Sequence, residues 1–217
     1  MYFSPLKERH RKERDQQSEG LALRIHRALS WLHRAEMADD DDARFIFLWI
    51  AFNAAYAQEI DDSYRQLEHE TFKQFLQKIC DLDTEKKIDR LVWDEFSGPV
   101  RILLDSPFVL HGFWEFQRGN INEEQWQDQL RTGKQIAQQS LASGNTASLL
   151  CVIFGRLYTL RNQLIHGGAT WSGKVNRNQL RDSTRLLHKL IPLIIEIMMD
   201  NPNTLWGEAC FPVVRDM

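Results

Sequence analysis

Residues 45–56 read FIFLWIAFNAAY, and this stretch decides the fold class. It is apolar on every helical face, so as a helix it must be covered all round, which places it in the middle of a packed bundle. Asn53 is the one strongly polar residue inside it. A buried amide needs hydrogen-bond partners, so Asn53 is expected to find them in the interior and to pin the bundle's register. Just upstream, Asp39 to Asp42 set four carboxylates before a helix expected over 43–60. Aspartate is a favoured N-cap and suits the positive end of the helix dipole, so the run reads as a cap and not as a metal site.

Working outward, Leu21, Ile25, Leu29 and Leu32 recur at steps of three and four, which predicts an amphipathic helix over 21–37. The same patterning predicts helices over 63–80, 84–96, 123–141, 145–165 and 178–200, the last kinked at Pro192. Residues 98–120, with Pro99, Pro107, Gly112 and Gly119, read as irregular and rich in aromatics. The charge run at 5–16 reads as a frayed or solvated helical extension. No period-two alternation demands a sheet. The expectation is an all-α helical bundle: a charged extension over 1–18, then one domain over 19–217 whose residues 201–217 pack back as an extended strap.

At 217 residues the chain is long enough for a sizeable core. Its three cysteines, Cys80, Cys151 and Cys210, are odd in number and far apart, which fits a reducing cytoplasm better than a disulfide framework. The run Phe45 to Ala57 falls short of the roughly 20 apolar residues that span a bilayer, so no membrane span is expected. A net charge of −3 argues against a wholly basic nucleic-acid binder. The charge is uneven, however. Between Cys151 and Leu190 seven Lys or Arg face one acid, Asp182, so this stretch carries +6 and the rest −9. Such a local cationic surface can hold phosphate on an acidic chain.

That stretch contains Arg156-Leu-Tyr-Thr-Leu-Arg161-Asn162-Gln-Leu-Ile-His166-Gly167-Gly168. At about 100° per residue, Arg161 falls in the middle of the apolar arc formed by Ile153, Phe154, Leu157, Leu160, Leu164 and Ile165. A guanidinium there needs a carboxylate, carbonyls or a phosphate. Asn162 and His166, four residues apart, stack beside the arc. Gly167 is a strong helix stop, so His166 belongs to the last turn, where the negative end of the dipole favours an imidazolium. An imidazole, a fixed cation and an amide at one helix end are suitable parts for proton transfer and phosphate stabilisation. The same residues also suit an ordinary helix terminus, and spacing does not separate the two.

The segment Arg161-Asn162-Gln163-Leu164-Ile165-His166 resembles the signature of the HEPN superfamily (higher eukaryotes and prokaryotes nucleotide-binding): Arg, often followed by a polar residue such as Asn, then His after four to six residues. Leu48 to Tyr56 is similar to an upstream helix of bacterial members, and the likeness extends over Leu21 to Asp200. It implies a four-helix core with additional helices, and a metal-independent endoribonuclease without a cofactor. In that scheme the RNA 2′-hydroxyl attacks its neighbouring phosphate, with His166 as general acid or base, Arg161 on the phosphate and Asn162 orienting one of them. It further implies a homodimer with a composite site, and a toxin or antiviral defence effector with a cognate inhibitor or partner protein. Other members have lost catalysis, so a non-catalytic module binding RNA, nucleotide or a protein partner is the alternative. A third reading makes the apolar arc simply a dimerisation or scaffold surface. Lys174, Asn176 and Arg177 follow the motif and are candidates to grip the RNA backbone, with Trp171 to stack on a base. As a solvated loop and helix start they need no such role.

No metal site is expected. His26 and His33, His69 between Glu68 and Glu70, and Cys80 with Asp81 and Asp83 give no set of four convergent donors. There is no Gly-rich phosphate loop, nucleophile elbow or CxxC.

Overall fold

The structure, a computed structural model, describes residues 1–57, 65–207, 209 and 211, the side chains of 65–70 excepted. The described residues form α-helices and short helical turns, with no strand. The helices are α1 (Phe3–Glu13), α2 (Glu19–Glu36), α3 (Asp41–Tyr56), α4 (Arg65–Leu82), α5 (Lys87–Arg90), α6 (Ser97–Asp105), α7 (His111–Gln117), α8 (Glu123–Ser143), α9 (Thr146–Ile165) and α10 (Arg177–Asp200). Among them none is long and apolar enough to cross a membrane.

The apolar stretch is the central helix, as its composition requires. α3 packs along α2 and α10 and also touches α9. Phe45, Leu48, Ala51 and Phe52 are fully buried and no α3 side chain is exposed. Phe52 carries the centre of the core, its ring 4.4 Å from that of Phe154 on α9 and near Tyr56, Phe72 and Phe75. Asn53 departs from expectation: it is only half-buried, on the side of α3 that the bundle leaves partly open. The acidic run caps as its composition dictates, with Ala43 N–H donating to Asp40 Oδ1 at 2.8 Å. Asp41 pairs with Arg44 at 3.2 Å, and Asp42 is used elsewhere.

Three segments differ from the sequence expectation. The charge run is not a frayed extension, because α1 buries Leu6 and His10 against α2 and α10. The helix expected over 84–96 breaks into α5 and a π-type turn, closed by Phe96 N–H reaching back five residues to the Leu91 carbonyl at 3.1 Å. Its start is set by Asp83, whose carboxylate accepts from Lys87 and Ile88 N–H at 3.0 and 2.7 Å. The irregular stretch contains two helices, α6 and α7, joined by a 3₁₀ turn at Pro107–Val109. In the tail, Trp206 is buried against Phe75, and the Leu205 and Gly207 carbonyls accept from Lys78 and Arg24. Glu208, Cys210 and the residues after Phe211 lie outside the described residues.

Candidate functional site

α9 begins at Asn145, whose side chain accepts from Ser148 N–H at 3.0 Å, and ends at His166. Gly167 takes φ +68°, the left-handed conformation that glycine adopts without cost. The chain then folds back, with His166 N–H donating to the Asn162 carbonyl at 3.0 Å and Ala169 N–H to that of Gln163 at 3.0 Å. His166 is therefore fixed by its backbone at the C-cap, while its side chain is exposed.

Arg161 does not lie in the core. It is half-buried on the open side of α9, and Ile165 beside it is 50% exposed. Its Nη1 donates to Asn162 Oδ1 at 2.9 Å, and its guanidinium carbon lies 5.9 Å from the Tyr158 ring centroid. Tyr158 leans in turn on Trp49 of α3, ring centroids 6.1 Å apart. Among the described residues no carboxylate pairs with Arg161, so an always-charged, pre-positioned cation is left without an anion. Arg161 and Asn162 are thus brought together; the His166 ring bonds to neither.

The arginine that is buried on α9 is Arg156, 3% exposed. It lies in the seam between the antiparallel α8 and α9, where its Nη2 would stand 3.2 Å from a Cβ placed on Gly133. Among the described residues its Nε and Nη1 have no hydrogen-bond partner, and burial pulls the guanidinium down to about 10. The apolar arc did not reveal this, because α8 covers a second side of α9 and meets it with a glycine where a large apolar residue would have signalled contact.

On the opposite side of the motif helix, a cleft of about 330 Å³ opens between Leu160, Leu164 and Leu180 on its apolar walls, with Trp114, Gln163 and Asn176 among its polar edges. Asp42, 8% exposed, forms its floor. Its carboxylate accepts from Arg177 Nη1 at 2.8 Å and Nη2 at 3.3 Å, and from Ser172 N–H at 3.3 Å. Arg177 Nε also donates to the Gly173 carbonyl at 2.9 Å, and its guanidinium is raised above its ordinary value by the Asp42 carboxylate. Gln163 ties the cleft together: its amide donates to the Phe108 carbonyl at 2.8 Å and accepts from Asn176 Nδ2 at 3.1 Å.

The candidate RNA-contacting residues therefore divide. Lys174 and Trp171 are exposed, Trp171 at 76%, whereas Arg177 and Asn176 are committed within the fold and brace the loop. Asp42 and Gln163 were missed as cleft residues; the first read as a cap, and the second sat unremarked inside the motif. Among the described residues no group of three or more His, Cys, Asp or Glu is arranged to hold a metal. Burial, then the charges of Asp89, Asp83 and Asp81, push the Cys80 thiol up to about 12, so it is no thiolate nucleophile. The candidate trio at 68–70 lies outside the described side chains.

Comparison with protein-family models, with curated proteins and with solved structures finds no match to this chain.

Proposed function

We propose that this chain is a metal-independent endoribonuclease of HEPN type. The observation that carries the reading is Arg161: a fixed guanidinium held by Asn162 and Tyr158, paired among the described residues to no carboxylate, on the open side of the helix that His166 caps. That is the placement a phosphate-binding cation needs. In the reaction a base removes the 2′-hydroxyl proton, the 2′-oxygen attacks the adjacent phosphorus, and the bond to the 5′-oxygen breaks as an acid protonates it. The products carry a 2′,3′-cyclic phosphate and a 5′-hydroxyl. His166 supplies acid or base, and Arg161 stabilises the charge that builds on the phosphate.

One histidine serves one of these two proton transfers, which favours a homodimer with two motifs in one cleft. Gly155, Tyr158, Asn162 and Ile165 form a partly open stripe on α9 at steps of three, four and three, a face on which a second copy can lie. Lys174 and Trp171, both exposed, serve as backbone and base contacts. A cytoplasmic toxin or defence effector, held by a cognate inhibitor, is the setting that accompanies this activity.

A second reading, a non-catalytic module that binds RNA, a nucleotide or a partner, has one observation in its favour: the cleft at Asp42 is lined by neither Arg161 nor His166. Incubation of RNA in EDTA with wild type, His166→Ala and Arg161→Ala separates the two. Cleavage by the wild type alone supports the nuclease; binding without cleavage supports the module.

A further inference from the structure

A row of cations with few carboxylate partners among the described residues runs along α1. Lys7, Arg11 and Arg14 follow at steps of four and three, so they share one side of the helix and its 3₁₀ continuation over about 10 Å. The acids of α1 are engaged elsewhere: Glu8 pairs with Lys12 at 2.8 Å, and Glu13 with Arg9, which also reaches Asp200 at 2.6 Å. Among the described residues neither Lys7 nor Arg11 pairs with a carboxylate, and Arg14 meets only its exposed neighbour Asp15, at 3.6 Å. The facing helix offers no relief, because α2 carries no acid between Glu19 and Glu36. It adds His26 instead, whose Nδ1 accepts from Lys7 Nζ at 3.0 Å.

Beneath the row lies His10, 2% exposed, its ring centroid 6.5 Å from that of His26 and its Nδ1 without a hydrogen-bond partner among the described residues. Neither amide atom of nearby Gln17 has one either. Burial lowers Lys7, with Arg11 and Arg14 adding to the effect, and burial lowers His26, with Lys7, Arg14 and Arg27 adding to it. Like charges gathered with, among the described residues, only the exposed Asp15 as counter-ion cost free energy, and an anion lowers that cost.

We propose that Lys7, Arg11, Arg14 and His26 form a phosphate-binding row for consecutive phosphate groups, at the end of the bundle where α10 finishes. A row of this length suits a chain of phosphates better than a single small anion. The site is separate from the Asp42 cleft: α1 packs on α2 and α10, and its Arg9 meets Asp200 at the C-terminal end of α10, whereas the Arg177–Asp42 pair stands at the N-terminal end of that helix. It therefore stands whether or not the chain cleaves RNA. Phosphates in series come from an RNA strand or from a free polyphosphate.

The test uses the full chain carrying His166→Ala, so that RNA stays intact, with and without Lys7→Gln and Arg14→Gln together. Tripolyphosphate is titrated calorimetrically and a short single-stranded RNA by fluorescence anisotropy, each over a range of salt. The row predicts that the double substitution weakens at least one probe about tenfold or more and, where the RNA is the probe weakened, lowers the magnitude of its salt slope by about 1.4. It predicts also that the double variant, with repulsion relieved, is at least as stable as its parent without ligand. Loss confined to RNA identifies a strand as the occupant; loss confined to tripolyphosphate identifies a small polyphosphate. Binding of both probes unaltered by the substitutions, no binding of either, or a double variant less stable than its parent overturns the proposal.

Discussion

Arg177, at the first position of α10, grips the carboxylate of Asp42, at the start of α3, with both ends of its guanidinium, at 2.8 and 3.3 Å across 135 residues of sequence. This fork joins the N-termini of the two central helices and carries the loop that follows the motif. Asp42→Asn keeps the size but removes the charge, leaving a partly exposed guanidinium against a buried amide. A loss of about 2 kcal/mol is expected, less than for a fully buried pair because Arg177 is partly exposed. Urea denaturation measures it, and an unchanged midpoint would show that the pair contributes nothing.

The seam between α8 and α9 makes a paired prediction. Arg156 is a buried cation with two nitrogens unpartnered among the described residues, so Arg156→Met, which keeps the bulk and removes the charge, should leave stability unchanged or raise it by up to about 2 kcal/mol. Gly133→Ala gains about 1 kcal/mol of helix propensity but places a methyl 3.2 Å from Arg156 Nη2. The alanine should therefore stabilise more in the Arg156→Met background than in the wild type, and a double-mutant cycle reads that difference directly. Additive effects would mean that the two positions do not meet.

His10 sets an acid limit. Burial first, and then the positive charges of Lys7, His26 and Arg14, pull its imidazole down to about 4, while nearby Gln17 acts weakly the other way. The unfolded chain binds the proton near pH 6.5 and the folded chain only near pH 4. The native state is thus favoured fully above about 6.5, and this contribution, on the order of 3 kcal/mol, is lost as pH falls toward 4. Thermal melts between pH 7 and pH 4 should show the decline, and His10→Gln should flatten it. Equal slopes in both proteins would assign the acid sensitivity to other groups.

Gly167 holds the turn that presents His166. At φ +68° an alanine costs about 1 kcal/mol and displaces the end of α9. Gly167→Ala should lose RNA cleavage out of proportion to its small loss of stability, whereas Gly155→Ala, on an open face with nothing near its Cβ, should leave the monomer's stability intact or improved. Activity retained by Gly167→Ala would detach the turn from the chemistry.

Much of the architecture was legible because it rests on local physics. The all-round apolar helix had to be central, Asn145 and Gly167 mark the ends of α9 by capping and backbone freedom, and the periodicity of Leu21 to Leu32 gives α2 its buried face. What was not legible depends on partners distant in sequence. Leu6 and His10 are too few to announce α1 as a packed helix until α2 and α10 are beside it. Asp83 ends one helix and starts the next, an event that a composition window over 84–96 averages away. For the candidate site, the position of His166 at a helix end followed from Gly167, but the depth of Arg161 did not. The angular reading put Arg161 at the centre of an apolar arc, whereas the bundle covers α9 toward Arg156 and leaves the side of Arg161 and Ile165 partly open. Asp42 shows the same limit from the other side: a residue that reads as a helix cap becomes a cleft floor only through Arg177, 135 residues on.

The measurement that bears most directly on the central claim is cleavage of RNA in EDTA by wild type, His166→Ala and Arg161→Ala, each shown to be folded, with the product ends characterised. The account predicts cleavage by the wild type, 2′,3′-cyclic phosphate ends, and a loss of about a hundredfold or more in each variant. Equal cleavage by all three proteins, or none by a folded wild type that binds RNA, would contradict it.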